Sequence, residues 1–236
     1  QWQDATRRVI LLEGEAGIGK SHLAEAFTGY AASQGTRLLR ARVIPTERAP
    51  FAPLAKALSP LLTKPALASL QPAARTALAA PFPEILALCE NLPPLPGLPS
   101  EAERQRLYRA VAEFAAAHAA QPTLLWVDDA HRLSAAALEL MAHLSDSWQL
   151  LLSYRSEETP PEHPLHRVFG SAALQLEPLT FVSVQTLLRQ LAGLEMPTLA
   201  AQISHQSGGQ PLFIVALLQY LFETGQLYVD TNGQWD

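Results

Sequence analysis

Gly14-Glu15-Ala16-Gly17-Ile18-Gly19-Lys20-Ser21 constrains this chain more than any other stretch. It matches GxxxxGK[ST], and its flanks have the form that motif requires. Before it, Arg8–Glu13 reads RVILLE, a short apolar run with the length and β-branched content of a buried strand. After it, residues 20–33 carry a helical period that puts Leu23, Ala26, Phe27 and Tyr30 on one apolar stripe. A strand that ends in a glycine-rich turn and opens a helix begins an α/β unit. The glycines let the backbone turn tightly, so several N–H groups converge on one anion. The positive end of the helix adds to that attraction. Gly14, Glu15, Ala16, Gly17, Ile18, Gly19, Lys20, Ser21 and the adjacent His22 are therefore the candidate phosphate contacts. Lys20 is expected to reach the β- and γ-phosphates as a point charge, and Ser21 to give its hydroxyl to Mg²⁺.

A second element agrees. Thr123–Asp128 is an apolar strand that runs into Asp129, so two carboxylates sit at its C-terminal end, the edge where α/β sheets hold ligands. Asp128 is the candidate Mg²⁺ ligand, through the metal's water shell. Asp129 is placed to polarise an attacking water as a general base. An aspartate there, with its short reach, points to slow turnover. The plainer reading is that both acids only cap the following helix. Ser153-Tyr154-Arg155 ends the next strand. Arg155 either senses the γ-phosphate or pairs with Glu157 or Glu158. Lys20, Asp129 and Arg155 are the candidate catalytic groups. His131 either hydrogen-bonds the acidic loop or covers the sheet edge. The other histidines are expected at the surface, with His163 and His166 in a proline-rich loop.

The rest of the chain reads as alternating strands and helices. Thr36–Val43, Gln149–Tyr154 and Ala173–Leu176 are further strand candidates. Residues 45–99 are so rich in proline that they should form short helices and turns, packed on the sheet as an insertion with a loop at 91–99. Ser100 and Glu103 form a capping box for a long helix over about residues 101–120. Leu107, Val111, Phe114 and His118 share one face of it, with Arg104, Arg106 and Arg109 on the solvated side. Pro122 ends that helix, and Ser134 caps another over 135–145. Such alternation predicts a parallel sheet covered on both faces. After Pro178 the segments 180–192, 197–206 and 210–224 are helical with no strand between, a small all-helical unit. Gln226–Val229, a turn at Asp230–Gly233 and Trp235 read as the first arm of a β-hairpin. The divisions expected are 1–177, 178–225 and 226–236.

Composition narrows the function classes. The 236 residues are 48% hydrophobic and 17% charged, which argues against disorder. A net charge of −5 argues against a broad nucleic-acid-binding face, though not against one local anion site. The lone Cys89 allows neither an intrachain disulfide nor a cysteine zinc cage, and reads as a small core residue in a reducing cytoplasm. No apolar run reaches the length of a membrane span, and no signal peptide opens the chain. The chain starts at Gln1 and stops at Asp236, so a fragment of a longer protein is expected.

Taken in order, GEAGIGKS, LLWVDDAH, LLLSYR and Ser207-Gly208-Gly209-Gln210-Pro211-Leu212-Phe213 resemble STAND-class signal-transduction ATPases. The likeness is to the AAA+-related ATPase module of large LuxR-type and SARP-type bacterial transcription activators of the maltose-regulator group. Similar modules accompany some adenylyl cyclases and kinases. The resemblance covers residues 7 to 225. It implies a P-loop NTPase fold, a three-layer α/β/α core with a five-stranded parallel sheet in the order 5-1-4-3-2, then a helical lid and a winged helix. It places Gly209 and Pro211 in the lid, with Pro211 against the adenine–ribose part of the nucleotide, and gives Arg155 the sensor role. Arg132 stands where the family often has tryptophan. The upstream adenine-contacting stretch and the winged-helix histidine are not in this sequence.

The function implied is a switch that binds ATP or ADP with Mg²⁺ and hydrolyses slowly. Its partners would be other domains of the parent chain, with ATP-dependent self-association. Neither nucleic-acid contact by this segment nor a membrane is expected. A non-hydrolysing nucleotide-binding scaffold, or the ATPase module of a cyclase- or kinase-linked protein, stays open as an alternative. A small-molecule kinase is disfavoured because Arg189 is the lone arginine of the 178–224 lid. A DNA-acting motor is disfavoured by the charge. No guanine-recognition motif is visible, which favours adenine.

Overall fold

Every residue from Thr123 to Val127 is buried, so the strand that delivers the two acids is covered on both faces. The computed structural model describes residues 8–43, 49–89, 91–97, 99–229 and 235. Five strands form one sheet: β1 (Val9–Gly14), β2 (Arg37–Arg42), β3 (Thr123–Asp128), β4 (Gln149–Arg155) and β5 (Leu174–Gln175). Their order is β2-β3-β4-β1-β5, all parallel, which is the expected 5-1-4-3-2 read from the other edge. The register sets Leu38 beside Leu124 and Val127 beside Leu152. It therefore brings the C-terminal ends of β3 and β4 to the same edge.

The chain divides into two compact units. One contains residues up to Glu13 together with Ser21–Leu174; the other contains Gly14–Lys20 together with residues from Gln175 onward.

In the first unit, helices α1 (Lys20–Ser33), α6 (Ser100–Ala117), α7 (Ala135–Leu144) and α8 (Pro164–Phe169) accompany the sheet. Between β2 and α6 the proline-rich segment forms short helices: α2 (Ala52–Leu58), α3 (Lys64–Ala68), α4 (Pro72–Ala79) and α5 (Ile85–Leu88). Prolines stand in the first turn of α2, α3 and α4, where a missing N–H costs nothing. Residues 45–48, where this insertion was expected to begin, lie outside the described residues. The core joins Leu54, Leu58, Leu67 and Leu78 of the insertion to Val111, Phe114, Leu125, Leu138 and Leu150. Each such side chain contributes about 1.5–3 kcal/mol by leaving water.

Three expectations need correction. The stripe of α1 does not face the core: Leu23 is 43% and Tyr30 55% exposed, while Ala24, Thr28 and Ala31 are buried. Small residues at i, i+4 and i+7 let the helix backbone approach closely, and the bulky stripe is rotated outward. The capping box does not form at Ser100. Pro99 already holds the extended N-cap conformation without a side-chain cap, so the Ser100 hydroxyl comes one residue too late. Four of the other histidines are not simply surface residues, although His205 is exposed as expected. The ring of His118 lies 4.6 Å from that of Phe114, His143 stacks on Tyr108 at 4.7 Å and His166 meets Tyr154 edge-on at 5.6 Å. His163 caps α8 by accepting the Leu165 N–H at 3.1 Å, so the proline-rich loop contains a helix. Ser134 caps α7 as expected, accepting from the Ala137 N–H.

The second unit contains α9 (Phe181–Ala192), α10 (Pro197–Ser207) and α11 (Pro211–Glu223) around Val184, Leu188, Ile203 and Ile214. Thr180 caps α9, and Gly193 closes it in the left-handed conformation. Val229 and Trp235 form an antiparallel bridge, and the Trp235 ring lies 5.0 Å from that of Phe222. The expected hairpin turn, Asp230–Gly233, lies outside the described residues.

Candidate functional site

The first unit assembles a polar cluster where β3 and β4 end. Ser21, in the first turn of α1, donates its hydroxyl to Asp128 at 3.0 and 3.2 Å. From the other side Ser153 of β4 donates to Asp128 Oδ1 at 2.5 Å. Ser153 is fully buried and also accepts the Asp129 N–H at 3.4 Å. A carboxylate between two hydroxyls is held in one orientation, with hard oxygen donors grouped as Mg²⁺ prefers. Among the described residues no group of three or more His, Cys, Asp or Glu side chains forms a metal cage. This donor set fits a cation that keeps waters and shares phosphate oxygens.

Asp129 follows in the left-handed conformation, with φ of +56°. That conformation is unusual for a residue with a Cβ, and aspartate is among the side chains that tolerate it best. Its Oδ1 lies 3.4 Å from Arg155 Nε. Arg155 also donates from Nη1 to Glu158 Oε1 at 2.8 Å. Arg155 therefore pairs with Glu158, one of its expected partners, and with Asp129.

His131 and Arg132 complete the cluster from a short 3₁₀ turn, Ala130–Arg132. His131 is buried and its Nε2 lies 3.2 Å from Glu158 Oε2 and 3.3 Å from Arg132 Nε, so the proton it carries decides which of the two it bonds. Arg132 Nη2 reaches both Glu158 oxygens at 3.2 and 3.3 Å. Burial pushes the His131 imidazole below its ordinary value, against the upward pull of Asp129 and Glu158. Desolvation pushes the Glu158 carboxyl up, but the Arg132 hydrogen bond and the charges of His131, Arg132 and Arg155 outweigh it and hold it low. The His131 imidazole thus meets Glu158 in the turn after β4, rather than the loop of the two acids that the sequence suggested.

The second unit contains the loop itself. Gly17 and Gly19 have φ of +78° and +99°, which only glycine adopts without strain. A Cβ on Gly17 would lie 2.8 Å from Leu212 Cβ, whereas one on Gly19 would meet nothing within 4 Å. Lys20 is 7% exposed and donates to the Gly14 and Glu15 carbonyls at 2.8 and 2.7 Å. Those bonds curl its side chain back over the loop. The start of α11 meets the same loop. Gln210 donates from Nε2 to the Ala16 carbonyl at 2.9 Å, and the Leu212 N–H donates to the Gly17 carbonyl at 3.2 Å. Pro211 is the first residue of α11. The Gln210 Oε1 atom is buried without a partner. His22, the last of the expected phosphate contacts, is exposed on α1.

Sequence reasoning gave Ser153 and Gln210 no role of their own, and took Glu158 only as an alternative partner of Arg155. For Ser153 a signal existed: a parallel partner strand running one residue past Leu152 places it beside Asp128. For Gln210, and for the contacts of Glu158 with His131 and Arg132, none did, because these depend on loop geometry.

The sequence matches the family described as AAA ATPase domain over residues 3–156, more than half of the chain. The chain belongs to this family. No curated protein sequence matches it. Solved structures share the fold of this AAA ATPase domain. The ORC1 protein of Aeropyrum pernix, in complex with DNA, is 14% identical with a TM-score of 0.53, covering 95% of this chain and 56% of that one. A signal transduction ATPase with numerous domains from Pyrococcus horikoshii, with a tetratricopeptide-repeat sensor, is 15% identical with a TM-score of 0.50. It covers 87% of this chain and 26% of its own. The AAA ATPase domain described here thus spans about half or less of these neighbours. Among its described residues no helix is long and apolar enough to cross a membrane.

Proposed function

We propose that this domain is an ATP/ADP-binding switch with slow ATPase activity in a larger cytoplasmic signalling protein, with transcriptional regulation as the favoured context. The observation that carries the reading is the Ser21–Asp128–Ser153 chain of hydrogen bonds, which orients one carboxylate beside the hydroxyl that closes the phosphate-loop motif. In this reading Gly14–Ser21 cradle the phosphates and Lys20 supplies charge. Ser21 and Asp128 hold Mg²⁺, which would neutralise phosphate charge, and Pro211 contacts the nucleoside. Asp129 orients water and Arg155 recognises the γ-phosphate. ATP and ADP then differ in whether Arg155 is engaged, which gives the differential contact any switch requires. The helical lid of residues 178–225, and the domains beyond it, would respond to that difference, including by self-association. The chain's charge of −5 supports nucleotide rather than nucleic acid as the partner of this segment.

A second reading has its own support. Asp129, the candidate base, is engaged by Arg155 at 3.4 Å, which ties its carboxylate to a cation. A scaffold that binds nucleotide without hydrolysis would look the same. Single-turnover hydrolysis with radiolabelled ATP separates the two: slow conversion to ADP supports the switch, and intact ATP after prolonged incubation supports the scaffold.

A further inference from the structure

We propose that Glu158 is a positioning residue that competes with the terminal phosphate for Arg155, and so sets how strongly the site prefers ATP over ADP. The inference rests on the nucleotide-binding reading above and adds a residue to it. Glu158 closes the 3₁₀ turn Ser156–Glu158 directly after β4. Its two oxygens accept from Arg155 at 2.8 Å and Arg132 at 3.2 Å, and His131 Nε2 lies 3.2 Å away, three side chains in all. Two of these come from the turn after β3 and one from the end of β4. One carboxylate thus ties together the two loops that carry Asp129 and Arg155. The turn is itself fixed, since buried Thr159 donates its hydroxyl to the Arg155 carbonyl at 2.7 Å.

The charges explain why this is more than a surface ion pair. Arg155 lies between two carboxylates, with Nε toward Asp129 and Nη1 toward Glu158. A γ-phosphate is a stronger, more highly charged acceptor than either. Drawing Arg155 to it breaks the Glu158 contact and releases Asp129. Glu158 keeps Arg132 and His131, so it stays compensated when Arg155 leaves. ADP has no γ-phosphate and leaves the cluster closed. Glu158 therefore opposes ATP binding and not ADP binding.

The test is the ratio of ADP to ATP dissociation constants, measured by calorimetry with Mg²⁺ on the 236-residue chain. Glu158→Gln should raise the preference for ATP by about two- to fivefold, the range for a partly exposed ion pair. The Kd for ADP should not change. Arg132→Gln should lower the preference, because Glu158 then holds Arg155 more firmly. Glu157→Gln, on the same turn, should leave the ratio unchanged. In an Arg155→Gln background Glu158→Gln should have no effect. A ratio that stays the same or falls in Glu158→Gln overturns the proposal, provided wild type binds ATP and Arg155→Gln alters the ratio. If wild type binds no nucleotide, or Arg155→Gln leaves the ratio unchanged, the underlying nucleotide reading fails instead. Should Glu158→Gln not fold by circular dichroism, Arg132→Gln decides with the opposite sign.

Discussion

Replacing Ser153 with alanine tests whether the orientation of Asp128 matters. The hydroxyl is fully buried, donates to Asp128 Oδ1 at 2.5 Å and accepts the Asp129 N–H at 3.4 Å. Alanine fills nearly the same space, so no cavity forms and the effect is that of the hydrogen bonds. A hydrogen bond to a charged acceptor contributes about 1.5–3 kcal/mol. The Asp129 contact is long and adds little, and Asp128 keeps its bond from Ser21. The expected loss of folding stability is therefore near the low end, about 1.5 kcal/mol. The larger effect should fall on metal binding, since groups that orient a metal ligand typically contribute about ten- to a hundredfold in affinity. Urea denaturation reads the first quantity. Titration with Mg·ATP, against ADP without metal, reads the second. A variant with wild-type stability and wild-type Mg·ATP affinity would show that Ser153 only fills space, and the assignment of Asp128 as an oriented metal ligand would lose its support.

Other outcomes follow from the same geometry. Lys20→Ala should lower turnover by at least about a hundredfold, as expected for loss of a charged donor on the transferring group; a coupled phosphate-release assay checks it. Gly17→Ala should destabilise the C-terminal unit by about 1–3 kcal/mol, from the positive φ and the close approach of Leu212. Trimming Leu212 to alanine in that background should recover part of the loss in a thermal melt. His131 is buried with its imidazole held below the ordinary value. The unfolded chain then binds more protons than the native one as pH falls past about 6.5. Stability that is complete above that value is lost as pH falls below it, and His131→Gln should flatten this slope in denaturation measured on the acid side of it.

Sequence reading reached further in the sheet than in the helices, for a physical reason. β1, β3 and β4 are built around short apolar runs, and β3, buried on both faces between Pro122 and Asp129, leaves little ambiguity of period, although β2 carries three arginines. The strand order came through the family resemblance, and could not have come from residues alone. The stripe on α1 misled because the side with larger apolar residues is not the side that packs; Ala24, Thr28 and Ala31 give a weak hydrophobic signal but the closest approach. Ser100 misled because Pro99 moves the helix start back by one residue. At the site, the loop motif and both acids stood out by residue type and spacing. The contacts of Ser153 with Asp128, Glu158 with Arg132 and Gln210 with Ala16 did not, since they span 25, 26 and 194 residues of chain that local pattern does not encode. The pairing of Glu158 with Arg155, three residues away, was within reach of the sequence.

The central claim is that this AAA ATPase domain binds Mg·ATP and hydrolyses it slowly through Asp129. Single-turnover hydrolysis by wild type, Asp129→Asn and Lys20→Ala tests it most directly. The account predicts slow conversion by wild type, retention of uncleaved ATP by Asp129→Asn, and no stable complex for Lys20→Ala. Hydrolysis by Asp129→Asn at the wild-type rate, or tight ATP retention by Lys20→Ala, would contradict it.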